Sequence, residues 1–113
     1  MDLNTMAKLA YENSKAKGFW DEHPEDKLSA ETVAAKLALI HSEVSEALED
    51  IRDGKRTTYL AENGKPCGFS SELADILIRL GDLAYKMKID LNEETIFKMD
   101  YNRSRPHKHG KTI

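Results

Sequence analysis

Apolar residues recur every three or four positions along two long segments of the chain. They are Val33, Leu37, Ile40, Val44, Leu48 and Ile51 in the first segment, and Leu73, Ile76, Leu77, Leu80, Leu83, Ala84 and Met87 in the second. This is the spacing of an amphipathic α-helix, because about 3.6 residues complete a turn and such positions share one face. The pattern predicts two long helices that pack through these faces.

Capping and helix-breaking residues predict four helices in all. They run from about Asn4 to Lys17, from Ser29 to Asp53, from near Ser70 to about Lys88, and from Asp90 to the residue before Pro106. In the first, Met6, Leu9 and Ala10 share one side. Ser29 is a favourable N-cap, and Asp90 with the glutamate three residues later matches the reciprocal capping pattern. No segment shows the alternation of a strand, so we expect one all-α domain over residues 1–113.

A long connection separates the two central helices. The stretch from Gly54 to Phe69 contains three glycines, Asn63 and Pro66, and its roughly sixteen residues exceed most internal connections. Fully extended, it would reach roughly 50 Å, so it can return along the second helix. The start of the third helix then lies level with the middle of the second, and we expect the connection to pass close to any site there.

Four carboxylates form two pairs on the predicted central helices. Glu43 and Glu46 belong to the second helix, and Glu72 and Asp75 to the third. The i, i+3 spacing places both members of each pair on one helix face. Helix packing would bring all four together, where partly desolvated carboxylates repel one another unless hard cations lie between them. Because Mg²⁺ couples carboxylates to substrate phosphates, the pattern favours a metal-dependent phosphate-ester site.

Less specific interpretations of these acids remain open. Glu43 and Glu46 could form a solvated stripe with Asp50, and Glu72 and Asp75 could simply occupy a first helical turn, where the dipole favours acids. Matching spacing on two amphipathic helices favours the metal site over both. A ferritin-like di-iron centre is less favoured, since it needs Glu-x-x-His motifs and no histidine stands at position 46 or 75. Asp50 could add a ligand, although a solvated acid is the more common case.

Composition narrows the range of functions. The 113 residues include 17 basic and 20 acidic side chains, for a net charge of −3, which argues against a general nucleic-acid or membrane binder. The single Cys67 excludes an intrachain disulfide, and the amino terminus lacks the apolar segment of a signal peptide. We therefore expect a cytoplasmic protein. A chain this short buries a modest share of its surface, and self-association would bury more.

Basic and aromatic residues outside the acid pairs admit two interpretations each. Lys98, Asn102 and Arg105 fall at i, i+4 and i+7, so they share a helix face that could bind phosphates or be merely solvated. The basic tail over residues 106–113 has the aperiodic pattern of a frayed terminus. Trp20, the only tryptophan, could stack on a nucleobase or pack in the core, and the core is the more common case.

Two further polar residues extend the acidic stripe of the third helix. Arg79 and Asp82 stand seven and ten residues after Glu72. We expect them to pair with each other or with groups that orient ligands.

Three stretches of the sequence occur in a recognisable combination. They are Leu-Ile-His-Ser-Glu-Val-Ser-Glu-Ala over residues 39–47, Glu-Leu-Ala-Asp over residues 72–75, and Y-N-x-x-R-P-x-x-H-G-K over residues 101–111. Their order and spacing resemble the MazG-like all-α nucleoside triphosphate pyrophosphohydrolases, over the chain from about Phe19 to Lys111. The resemblance implies a bundle of four to five helices that is completed by oligomerisation into a homodimer or homotetramer.

The resemblance also implies a metal site and a reaction. Mg²⁺, or Mn²⁺ in its place, would be held by Glu43, Glu46, Glu72 and Asp75, and an NTP or dNTP would be hydrolysed to the monophosphate and pyrophosphate. The first motif of the family often begins with an additional acid, where this chain has Ser42. If that acid assists the attacking water in relatives, then Glu43, Glu46 or a metal-bound hydroxide must do so here.

The same resemblance favours a set of substrate contacts and leaves two other functions open. The expected substrate-binding residues are Trp20, Lys98, Asn102, Arg105, His109 and Lys111. One alternative is phosphoribosyl-ATP pyrophosphohydrolase, a related all-α enzyme that breaks the same kind of bond. The other is a non-catalytic helical regulator that binds a nucleotide or a partner protein.

Overall fold

Four α-helices make up most of the chain that the structure describes, residues 1–112 of a computed structural model. They are α1 (Leu3–Ala16), α2 (Ala30–Arg52), α3 (Phe69–Lys86) and α4 (Leu91–Ser104). The predicted all-α class is confirmed, and the predicted helix ends agree to within one or two residues. The end of the predicted tail, Ile113, lies outside the described residues.

The predicted helix caps are formed. The Ser29 hydroxyl accepts a hydrogen bond from the backbone N–H of Thr32 at 3.2 Å, and the Asp90 carboxylate accepts one from that of Glu93 at 3.0 Å. The helix α3 begins instead after Gly68, which has φ of 102°. A Cβ at this position would collide with the carbonyl oxygen of Thr57, so only glycine allows the connection to enter α3 here.

The helix α3 is central, and it packs against both α1 and α2. Gly81 lets α1 approach closely, since a Cβ there would lie 2.8 Å from the sulfur of Met6. Met6 and Ala7 are the buried residues of α1. Leu9, predicted on the buried side, is exposed instead. The periodicity of a short helix does not define its buried side well, because one residue corresponds to a rotation of about 100°.

The core lies around Trp20, Leu28 and Leu83, with Val33 and Ile40 partly buried against them. These residues come from the connection between α1 and α2, from α2 and from α3. The core therefore joins the α1–α2 connection to the two central helices.

The helix α4 is attached at its start to the beginning of α1. The side-chain Oδ1 atom of Asn4 accepts hydrogen bonds from the N–H groups of Leu91 and Asn92 at 2.9 and 3.3 Å, and its side-chain Nδ2 donates to Asp90 at 2.8 Å. The Asn92 side chain accepts from Leu3 N–H at 3.1 Å. Beyond this junction several large apolar side chains of α4 stay exposed, namely Ile96, Phe97, Met99 and Tyr101.

The expectation of no strands is wrong in the long connection, where β1 (Tyr59–Leu60) and β2 (Pro66–Cys67) pair antiparallel, with Tyr59 opposite Cys67. Two-residue strands are too short to show alternation in a sequence. The N–H of Ala61 donates to the carbonyl of Lys65 at 2.9 Å and closes the turn.

The predicted aperiodic tail also contains some structure. A 3₁₀ turn spans His107–Gly110, and Arg105 donates a hydrogen bond to the His109 carbonyl at 3.2 Å. Within residues 1–112, no helix combines the length and hydropathy needed to cross a membrane.

Candidate metal centre

The packing of α2 against α3 brings three of the four predicted acids into one cluster. Ligand oxygens of Glu43, Glu46 and Glu72 all lie within 4.8 Å of one another. Glu43 and Glu46 project from the middle of α2, and Glu72 projects from the first turn of α3. Asp75, one turn further along α3, lines a cavity that the three glutamates also line.

The expectation that the connection would return along α2 before α3 begins is wrong, because the N–H of Phe69 donates to the carbonyl of Lys55 at 2.9 Å and so places the start of α3 beside the end of α2. The connection does pass close to the acids, since its Lys65 lines the same cavity.

These acids line one side of a large cavity, called here the acid pocket. Its volume of about 690 Å³ falls in the range of small-molecule sites. Its lining comes from α1, the α1–α2 connection, α2, the hairpin and α3. Besides the four acids, its polar lining residues are Asn13, Ser14, Lys36, Lys65, Arg79 and Asp82.

Glu72 has the most unusual electrostatic environment in the pocket. Its Oε2 atom is buried and has no hydrogen-bond partner within the described chain. Desolvation raises the pKa of Glu72 to about 7, and the neighbouring Glu43, Glu46 and Asp75 contribute to the rise. A buried carboxylate oxygen without a partner is costly, and a divalent cation would satisfy it. Clustered carboxylate oxygens are also the donors that Mg²⁺ prefers.

The carboxylate of Glu43 is held by an arginine. The Nε atom of Arg79 donates to Glu43 Oε1 at 2.9 Å, and the Glu43 side chain is only 12% exposed. The expected alternative, an Arg79–Asp82 pair, is wrong, because Asp82 accepts a hydrogen bond from Trp20 Nε1 at 2.8 Å. Arg79 instead orients one of the predicted ligands, as residues around metal sites commonly do.

Two lysines that the sequence did not single out also line the acid pocket. Lys65 lies at the end of the hairpin turn, and Lys36 lies on α2, seven residues before Glu43. The charge of Glu43 raises the pKa of Glu46, and the Lys65 ammonium partly offsets that rise. The i, i+7 spacing from Glu43 could have identified Lys36 from sequence. Lys65 could be placed only once the hairpin was known.

Of the two arrangements that the sequence left open for Trp20, the structure shows the more common one, packing in the core. Trp20 lines the pocket but is only 4% exposed, and the Lys36 ammonium lies 4.4 Å from its ring. A base could stack on Trp20 only if Lys36 moved away. The neighbouring Phe19 also lines the pocket and is 66% exposed. Phe19 is therefore the more accessible aromatic surface.

Five of the six expected substrate-binding residues lie outside the acid pocket. Among residues 1–112, the lining of the acid pocket contains no residue after Leu83. The residues concerned are Lys98, Asn102, Arg105, His109 and Lys111. One chain by itself therefore does not bring them to the acids.

Comparison with known proteins adds no identity. The chain matches no family model, no curated protein and no solved structure at a significant level.

The acid pocket should make the metal-free protein less stable as the pH rises from 4.5 to about 7. Glu72 titrates near 7 in the folded state instead of at its ordinary 4.5, so the folded state binds more protons than the unfolded state in this window. Raising the pH then lowers the free energy of unfolding. Melting temperatures of EDTA-treated wild type and Glu72→Gln should diverge through the window, with the variant increasingly more stable. A difference in melting temperature that does not change with pH would contradict the raised pKa of Glu72.

Proposed function

We propose that the protein is a Mg²⁺-dependent nucleoside triphosphate pyrophosphohydrolase of the MazG-like kind. The observation that carries the proposal is the buried, partnerless Glu72 oxygen within a cluster of three carboxylates. A solvated acidic stripe would not desolvate a carboxylate in this way. The cavity beside the cluster has room for a nucleotide and presents both acids and lysines.

The metal ligands in this proposal are Glu43, Glu46, Glu72 and Asp75. Bound Mg²⁺ supplies charge neutralisation for the triphosphate and lowers the pKa of a coordinated water. Glu72 must be ionised to serve as a ligand, so metal affinity should increase as the pH approaches and passes 7.

The acidic residues Glu43 and Glu46 have different environments in the acid pocket. Arg79 fixes one oxygen of Glu43, which keeps that carboxylate in a ligand orientation. Glu46 is more exposed, and the charge of Glu43 raises its pKa. Ser42 has no carboxylate to accept the proton of the attacking water. In this proposal Glu43, Glu46 or a metal-bound hydroxide accepts that proton.

The basic residues of the pocket face the charge of the substrate. A triphosphate carries about four negative charges into a site that already holds four acids, so it needs cations on both sides. Lys36, Lys65 and Arg79 lie in the pocket lining. They offset phosphate charge that the metal does not reach. Attack at the α-phosphorus is taken from the resemblance to MazG-like enzymes.

The proposed enzyme acts as a homo-oligomer in the cytoplasm. Lys98, Asn102 and Arg105 lie outside their own chain's acid pocket, so in this proposal they reach substrate from a second copy. Exposed apolar side chains on the central helices support self-association, among them Leu37, Leu48, Leu73 and Leu77.

Product analysis with a nucleotide panel tests the proposed function. Purified protein with Mg²⁺ should convert at least one NTP or dNTP to the monophosphate and pyrophosphate, and EDTA should stop turnover. Diphosphate and orthophosphate as primary products would contradict the proposal. Turnover of phosphoribosyl-ATP alone would favour the related histidine-pathway activity, and metal binding without any turnover would favour a regulator.

A further inference from the structure

A second, smaller cavity shares Trp20 with the acid pocket but contains none of the four predicted metal ligands. Its volume is about 310 Å³. Its lining residues are Tyr11, Lys15, Trp20, Asp21, His23, Pro24 and Lys86. It is called here the lysine pocket, after Lys15 and Lys86. Neither the proposed reaction nor the motifs of the sequence give it a role.

Lys86 is the unusual residue of the lysine pocket. It is only 9% exposed, which makes it the one charged residue in the buried class among residues 1–112. Across the same part of the chain, no carboxylate lies within 4.0 Å of its ammonium group. The group instead lies 5.4 Å from the centre of the Trp20 ring. Most of the Lys86 side chain is buried, while its ammonium group keeps contact with solvent in the cavity. An aromatic face stabilises such a cation only modestly, so its charge is available to an anion there.

The other polar groups of the cavity give it an excess of positive charge. Lys15 reaches it from α1, and its ammonium lies 6.0 Å from the Tyr11 ring. His23 contributes an imidazole from the α1–α2 connection, and its Nδ1 atom lies 3.7 Å from a carboxylate oxygen of Glu25. Asp21 is the single carboxylate in the lining. The two ammonium groups therefore exceed the one lining acid, and this balance attracts anions.

The walls and the size of the cavity limit which anion fits. The rings of Tyr11 and Trp20 lie 6.2 Å apart and form an aromatic wall. The volume is at the lower end of the range for small-molecule sites. A compact anion suits this space better than a whole nucleotide.

We propose that the lysine pocket binds a small free oxyanion of the phosphate class, pyrophosphate or orthophosphate. Lys86 and Lys15 supply charge-assisted hydrogen bonds to its oxygens, and His23 supplies a further donor. The anion provides the Lys86 ammonium with an oppositely charged partner, which no carboxylate among residues 1–112 supplies within 4.0 Å. This site needs no metal, and it does not depend on the activity proposed for the acid pocket.

The intrinsic fluorescence of Trp20 offers a direct test, because Trp20 is the only tryptophan and lines the cavity. EDTA-treated protein is titrated with pyrophosphate and with orthophosphate, and chloride at matched ionic strength serves as the blank. We expect a saturable change, with pyrophosphate binding more tightly because it carries more charge. No saturable change at millimolar pyrophosphate would overturn the proposal.

Variants of the two lining lysines, with a matched control, test whether the anion binds in the lysine pocket. Lys86→Met and Lys15→Gln should each weaken pyrophosphate binding about tenfold, as expected for a lost charged hydrogen bond. Lys8→Gln is the control, since Lys8 lies on the same helix α1 but its ammonium is near Glu12, at 3.9 Å. Lys86→Met should keep the melting temperature, because methionine preserves the buried apolar part of the side chain, so weaker binding cannot be attributed to misfolding.

Two further outcomes would overturn the assignment. If Lys65→Gln weakens pyrophosphate binding and the lysine-pocket variants do not, then the anion occupies the acid pocket. If a nucleoside triphosphate without metal displaces pyrophosphate in a manner that depends on Lys86, then the pocket holds the phosphates of a nucleotide and not a free oxyanion.

Discussion

Replacing Glu72 by glutamine should remove metal-dependent activity and at the same time make the metal-free protein more stable. The loss of activity follows because glutamine removes a ligand charge next to Glu43 and Glu46. It should exceed about a hundredfold, since even residues that only support metal ligands cost 10-fold to 100-fold. The gain in stability follows because Glu72 Oε2 is buried without a partner and desolvation opposes its ionisation.

The opposite signs of the two effects make this variant informative. Turnover with saturating Mg²⁺ and the melting temperature in EDTA are measured on the same preparations. Glu49→Gln is the matched control, because Glu49 lies on α2 but pairs with Arg52 at 3.2 Å in a solvated position. Both quantities should be near wild type in the control. A Glu72→Gln variant with full activity would show that Glu72 is not a required ligand.

The active protein should be a homo-oligomer, at least a dimer, in which α2 and α3 of each copy form a shared bundle. Leu48 on α2 and Leu77 on α3 are 50% and 44% exposed in the single chain. At about 25 cal/mol per Å², several hundred Å² of apolar surface left in water forgoes several kcal/mol, which is comparable with the whole stability of a small domain. A closed two-fold dimer is the most common way to bury such a surface.

Charged substitutions on this face test the shared bundle. Leu48→Glu and Leu77→Glu should shift the protein to monomer in light scattering and should lower activity with it. Leu60→Glu is the control, because Leu60 is also strongly exposed but lies on the hairpin. A wild-type protein that is monomeric and active at micromolar concentration would refute the shared bundle. Lys98, Asn102 and Arg105 would then need a role within one chain.

The parts of the fold that the sequence predicts well depend on local signals. The caps at Ser29 and Asp90 mark helix starts because a side chain and a backbone N–H three residues apart meet within one turn. The acid pairs are likewise readable from spacing within each helix. The convergence of Glu43, Glu46 and Glu72 needed only one further assumption, that α2 packs against α3.

The remaining features depend on contacts between residues far apart in the sequence. Trp20 is buried partly through its hydrogen bond to Asp82, 62 residues later. The helix α4 is attached to α1 through Asn4 and Leu91, 87 residues apart. Lys65 reaches the acid pocket through a hairpin of two-residue strands. No periodicity or spacing encodes such pairings, so sequence reasoning left open whether Trp20 stacks on a base or packs in the core, and it overlooked Lys65.

The central claim is tested most directly by hydrolysis in ¹⁸O-labelled water of a dNTP that the protein turns over. The proposal requires water to attack the α-phosphorus with metal held by the acids of α2 and α3. One labelled oxygen should therefore appear in the nucleoside monophosphate and none in pyrophosphate, and Mg²⁺ should be required. Label in pyrophosphate or in orthophosphate, or no Mg²⁺-dependent hydrolysis of any nucleoside triphosphate, would contradict the claim.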